Sequence, residues 1–191
     1  MSPRSVEQNE VVRAESRRRI IESALALFAE HGYEKTSIKM IAQHAGISQG
    51  LMYNYFAGKD ELLKEIFAQS IADVRESFAR AEATGDPSDR VVRLIRASFA
   101  VVQDNMAFWR LSYGVRTQSS VLALLGDDLL NWIAEIRRTL ERYLQAAGHP
   151  QPALEAALLF ALIDGVAQHY VLDPETYPLA EISERIVAMY V

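Results

Sequence analysis

Cysteine is absent from the 191 residues. Neither a disulfide framework nor a thiolate metal site can form, which suits a reducing, cytoplasmic compartment. Histidine is scarce: His31, His44, His149 and His169 are scattered at no metal-ligand spacing, so no metal site is expected. Glycine and proline number nine and six, and they build neither a phosphate-cradling loop nor a nucleophile elbow. Asp164 and His169 lie five apart and point to different sides of a helix, a poor dyad. No catalytic residue emerges, and an enzyme is not expected. Long hydrophobic runs are missing too. The longest, 156–163, has eight residues, well short of the roughly 20 that a membrane span needs. The opening MSPRSVEQNE lacks the apolar core of a secretory signal. No convincing apolar alternation and no internal repeat occurs, so strands and solenoids are not expected.

What is present is helical. Half of the residues are hydrophobic, enough to bury a real core. The net charge of −5 hides a division along the chain. Between Arg13 and Lys59 seven basic residues face four acidic ones, whereas from Asp60 onward twelve basic residues face nineteen acidic ones. A basic head on an acidic body confines attraction for nucleic acid to the head.

Apolar periodicity places a first helix from about Glu15 to Glu30, stopped at His31-Gly32, after a polar, disordered tail over residues 1–12. Thr36 or Ser37 can cap a short second helix ending at Ala45-Gly46, and Ser48 a third reaching about Phe56. Gly58 opens a fourth that runs to about Glu82, with Asp60 and Glu61 favoured at its positive end. Residues 84–89 form the clearest break, with Asp86 as a cap and Pro87 in the first turn. Further helices are expected at about 88–103, 105–117, 121–147, 152–172 and 179–190. The expected fold is all-α with about nine helices.

The stretch TSIKMIAQHAGISQGLMYNYFAGK, Thr36 to Lys59, carries the chemistry. Two short helices around Ala45-Gly46-Ile47 are what a helix-turn-helix requires. Ile41, Ala42, Ile47, Met52 and Phe56 can lock them together and onto the first helix. Gln49, Gly50, Tyr53 and Asn54 then fall on the outer face, polar or without a side chain, as suits a helix entering the major groove. Asparagine can bond adenine in two places, which makes Asn54 the first candidate for a base contact.

The segment RRRIIESALALFAEHGYEKTSIKMIAQHAGISQGLMYNYFAGKDELL resembles the N-terminal domain of the tetracycline-repressor (TetR) family of bacterial regulators, strongly over residues 16–66. The stretch ALLFALIDGVAQHYVLDPETYPLAEISERI is similar to a common ending of that family, and residues 85–150 carry no signature. The resemblance implies DNA contacts from Lys39 on the second helix and from Gln49 and Gly50 at the front of the third. It implies phosphate contacts from Tyr53, Tyr55 and Lys59, with His44 as a further candidate. Many relatives carry lysine where this chain has Gln49, which removes a phosphate or guanine contact and leaves the operator sequence unread.

A single helix-turn-helix makes few contacts, and such proteins bind palindromic DNA as two-fold dimers. The helix over 152–172 is apolar nearly all round, so one face can be buried inside and another against a partner. The dimer candidates are Leu158, Leu162, Gly165, Val166 and His169, with Ile182 and Ile186 on the last helix. In the resembling family these two helices pair with their copies in a four-helix bundle. Family members hold a small organic effector among the middle helices. Phe99, Gln103, Trp109, Arg110, Tyr113 and Trp132 are the residues expected to meet it, with Arg116 as another polar group.

The sequence therefore reads as a three-helix DNA-binding domain over 13–58 and a regulatory and dimerisation domain over 59–191. The expected partners are double-stranded palindromic DNA, a second copy and an effector of unknown identity, with no cofactor and no membrane. The expected function is a repressor released by its effector. An activator, an interaction module that has lost DNA binding and a helical enzyme stay open as alternatives.

Overall fold

Side chains that recur every three to four residues leave the chain little choice but helices. The computed structural model describes residues 6–83 and 89–190, and these hold ten helices and no strand. Three form the head: α1 (Val6–His31), α2 (Ile38–His44) and α3 (Gln49–Met52). Ile20, Ala24 and Phe28 line the buried stripe of α1, and Gly32, at φ 84°, closes it in a conformation that favours glycine.

The helix starts at Val6, so residues 6–12, expected in a disordered tail, are helical, while residues 1–5 lie outside the described part. Once the packed turns of α1 exist, propagation costs little, and acidic Glu10 suits its positive end. The third helix is shorter than expected and ends at Met52, with residues 53–55 continuing as turns.

The body comprises α4 (Lys59–Ala83), α5 (Arg90–Asp104), α6 (Met106–Val115), α7 (Ser119–Leu125), α8 (Asp127–Ala146), α9 (Pro152–Leu172) and α10 (Leu179–Val187). The helix expected over 121–147 is two. Gly126 separates them at φ 58°, ψ −143°, a region open essentially to glycine alone, and this break raises the count from nine to ten. The proposed cap Asp86 and its Pro87 lie outside the described residues.

Two hydrophobic clusters hold the molecule. One runs without interruption from Ile20, Phe28, Met52 and Phe56 in the head through Leu62 and Phe67 of α4 to Phe108, Trp109 and Trp132. The other joins α5, α8, α9 and α10 through Ile95, Phe99, Leu144, Leu159 and Ile186. Helix α6 packs on α1, α4 on α5, and α8 lies along α9. By length and composition α9 could cross a membrane; here it packs against α5, α6, α8 and α10.

Candidate nucleic-acid interface and cavity

The local geometry of the head follows from a few side chains. Ser37 starts α2 by accepting from the Met40 N–H at 3.2 Å, and Ser48 starts α3 by accepting from the Leu51 N–H at 3.1 Å. Thr36, the other proposed cap, is buried instead, and its hydroxyl faces the carbonyls of Gly32 and Leu27 at 2.9 and 3.2 Å, tying the end of α1 to the loop. Between the helices Gly46 adopts φ 69°, and the Ile47 N–H donates back to the Ala42 carbonyl at 3.0 Å. Ile41, Ala42, Met52 and Phe56 are buried behind this turn, so neither short helix can rotate.

With that back face fixed, Lys39, His44, Gln49, Gly50, Tyr53 and Asn54 are all exposed. Tyr53 is 52% exposed, whereas Tyr55 is half-buried against the core with the Arg13 guanidinium 6.0 Å from its ring. Leu51, at 41% exposure, also stands on this surface. The sequence reading passed over it because leucine so often belongs to a core, yet its place beside inward Met52 turns it outward. An apolar side chain there can meet a thymine methyl.

Lys59 is held by the loop after α1. Its ammonium donates to the carbonyls of Tyr33 at 3.0 Å and Glu34 at 3.4 Å and lies 4.3 Å from the Tyr33 ring centroid. It therefore ties the loop after α1 to the start of α4, which fixes where any remaining N–H can meet a phosphate. Tyr33 is buried and its hydroxyl hydrogen-bonds Asp60; burial first, then that bond, pushes its pKa above the ordinary tyrosine value.

Of the arginine run before the head, Arg17 is not a free cation. It donates to Glu65 of α4 at 2.9 Å and lies 5.0 Å from the Phe56 ring centroid, while Arg18 bonds Glu22. The Arg17 hydrogen bond holds the Glu65 carboxyl below its usual pKa. A carboxylate so shifted stabilises the fold above its unfolded pKa, about 4.3, and that contribution disappears as pH falls through the lower folded value. The pair is partly exposed, so Arg17→Ala should cost no more than about 1 kcal/mol at pH 7. The difference from the parent should shrink in thermal melts as pH falls below about 4.3.

A narrow cavity of about 50 Å³ lies in the body between α4, α5, α6, α8 and α9. Phe78, Trp109, Tyr113, Trp132 and Phe160 supply aromatic wall. Trp109 and Trp132 lie with ring centroids 6.0 Å apart, and Trp109 and Tyr113 5.9 Å apart. Three of the six residues expected to meet an effector thus border one space. The other three do not: Phe99 is buried in the second cluster, and Gln103 and Arg110 are exposed on the outer sides of α5 and α6.

Arg116 and Asp164 also border the cavity and bond at 2.7 and 2.9 Å. The Tyr113 hydroxyl faces the same carboxylate at 3.4 Å, and burial raises its pKa. Asp164 drew notice in the sequence only beside His169; its actual partner is 48 residues away and no local spacing points to it.

On α9, exposed Leu158 and His169 share a stripe with half-buried Leu162 and Gly165. Leu154 and Leu172, exposed by 62% and 74%, extend it. Val166 and Ile186 do not belong to this face, being only 9% and 2% exposed inside the chain. Val166 sits about 80° around the helix from Leu158, beside buried Leu159. Ile186 packs into the second cluster while Ile182 is half-buried at its edge.

Residues 20–66 match the family model described as bacterial regulatory proteins, tetR family, and residues 87–191 match that of the C-terminal part of BetI-type transcriptional repressors. The chain is 31% identical over 170 residues to the HTH-type transcriptional regulator BetI 1 of Chromohalobacter salexigens, covering 83% of this chain and 80% of the relative. It is 30% identical to the regulator HbdR of an Aromatoleum strain over 78% of this chain and 66% of that one. Among solved structures, a TetR-like regulator from Rhodococcus sp. RHA1 superposes with a TM-score of 0.78 at 20% identity, covering 100% of this chain and 96% of the other. FadR from Bacillus subtilis, solved with stearoyl-CoA, superposes with a TM-score of 0.74 at 18% identity, covering 91% and 97%. These two likenesses speak for the fold.

Proposed function

This chain belongs to the tetR family of bacterial regulatory proteins, and from that premise we propose that it is a transcriptional repressor that grips a palindromic operator as a dimer and lets go when a small organic molecule enters its body. The observation that carries the reading is the head itself. Lys39, Gln49, Gly50, Tyr53 and Asn54 stand exposed on one surface while Ile41, Met52 and Phe56 lock the helices from behind.

Two copies paired along α9 and α10 bring two such surfaces together. Successive major-groove turns on one side of DNA lie about 34 Å apart, so the dimer has to hold its recognition helices at that spacing. A repressor acts where the DNA is, which in a bacterium is the cytoplasm. A chain of this fold, that from Bacillus subtilis, was solved with an organic ligand, which supports an effector in the helical body. The cavity borders both α4, which starts at Lys59 beside the DNA surface, and α6, which packs on α1. Two helices therefore run from cavity to head. An effector shifts the equilibrium only by its difference in affinity for the two spacings, and DNA must weaken effector binding by the same factor.

Selection of bound sequences from random DNA tests the reading. It should return an inverted repeat whose affinity falls steeply with salt. Asn54→Ala should relax preference at one base pair per half-site, with a discrimination loss of about 1–3 kcal/mol. Recovery of no repeat, or an equal loss on every sequence, counts against the dimeric and the base-reading parts respectively.

A further inference from the structure

We propose that the cavity recognises an uncharged, mainly apolar molecule that carries a carbonyl oxygen, which accepts a hydrogen bond from the Trp109 indole N–H or the Arg116 Nε–H. The inference rests on the effector reading above and names the chemistry of its ligand.

Two hydrogen-bond donors on residues that line the cavity are unmet. Trp109 is 8% exposed, borders the cavity, and its Nε1 is buried with no partner. Arg116 borders the same space, and its Nε is likewise buried and unpartnered although its Nη1 holds Asp164. A buried indole N–H ordinarily finds an acceptor, and leaving one without is costly. Both vacant groups can only donate. The cavity therefore calls for an acceptor.

Charge narrows the choice. Arg116 and Asp164 are the charged side chains among the lining residues, and they neutralise each other at 2.7 Å. A cation would find the carboxylate already held by Arg116 and faced by the Tyr113 hydroxyl. An anion would meet Asp164 as it approached Arg116. Of the other polar side chains, Ser98 is satisfied by the Leu94 carbonyl at 2.8 Å, and Trp132 adds an indole N–H, which again can only donate. An uncharged acceptor meets neither penalty.

Shape completes the class. Trp109, Tyr113 and Arg116 follow one another at four and three residues along α6 and its cap, one stripe of the helix. The Trp109 and Tyr113 rings are 5.9 Å apart, and the Arg116 guanidinium is 4.5 Å from the Tyr113 ring centroid. Trp109 and Arg116 thus flank Tyr113 along this stripe. A planar or hydrocarbon body can lie along it, and the cavity, at about 50 Å³, has to widen to admit one.

Four probes on one skeleton decide the matter: 2-acetylnaphthalene, 2-ethylnaphthalene, 2-naphthoate and 2-(2-aminoethyl)naphthalene, each titrated into the full chain by calorimetry. The ketone should bind at least tenfold tighter than the ethyl compound, about 1.4 kcal/mol. Trp109→Phe, which keeps an aromatic side chain but removes the indole N–H, should shrink that preference below threefold, while Trp132→Phe should preserve it. Equal binding of ketone and ethyl compound, or a preference untouched by both Trp109→Phe and Arg116→Met, overturns the proposal. So does failure of all four to bind. Tighter binding of the acid or the amine overturns the uncharged class but leaves an effector in the cavity. Ketone binding undiminished by Ala167→Leu, in a variant with an unchanged melting curve, overturns the cavity reading itself.

Discussion

Leu158→Glu should yield a folded monomer that no longer holds its operator. Leu158 is 57% exposed, so a carboxylate there meets water in the single chain and leaves the fold intact. In the pair it would lie among Leu154, Leu162 and Gly165 of the same stripe and their copies, a buried charge without a partner. That costs about 3–5 kcal/mol, two to three or more powers of ten in the dimer constant. Light scattering should fall from twice 21.4 kDa to that mass, with an unchanged helical spectrum. Operator affinity should fall by at least about 100-fold, since each half-site is then held alone. Ile186→Glu serves as the contrast. Ile186 is 2% exposed within the chain, so this variant should melt far earlier because its charge lands in the subunit core. A parent protein of monomer mass that still binds a full palindrome tightly would sink the pairing along α9.

Gly50→Glu should abolish DNA binding without touching stability. Gly50 has an ordinary helical conformation, and a Cβ built on it meets nothing within 4 Å. Glutamate is a better helix former than glycine, and it sits well in the first turn of α3. The melting temperature should therefore hold or rise slightly. On the proposed DNA face the same side chain would stand beside exposed Gln49 and Tyr53, where a carboxylate would repel phosphates. Affinity for every sequence should fall by at least about 100-fold, and the dimer mass should stay. Gly50→Ala, which adds a methyl and no charge, should cost much less. Full DNA binding by Gly50→Glu would move the recognition surface away from the front of α3.

Much of this was legible in the residues because it is local. Ser37 and Ser48 as caps, Gly32 and Gly46 as breaks, and the inward set Ile41, Ala42, Met52 and Phe56 all follow from spacings of a few residues. The same periodicity supplied nearly every body helix. It failed at Gly126, where an apolar pattern continues on both sides of a glycine that a helix can also tolerate, and the backbone angle decides for a break. It failed also at the N-terminus, where a helix nucleated further on extends back to Val6 without an apolar stripe to announce it. Lys59 illustrates a different limit, since its spacing fits a phosphate contact yet its distances show it holding the Tyr33 carbonyl.

By itself the sequence determined the class of protein, the helical build and which side chains of the head stay exposed, because these depend on the order of side chains along one or two turns. The tertiary structure alone decided which apolar residues remain outside. Leu158 and Val166 are equally apolar and both on α9, but the packing of α8 and α5 buries one and spares the other. It alone decided the cavity as well. Phe99 and Trp109 look alike as aromatic residues of the middle section, yet they end in different clusters. Arg116 meets Asp164 across 48 residues because folding lays α6 against α9, and a pairing made at that distance leaves no local pattern to read.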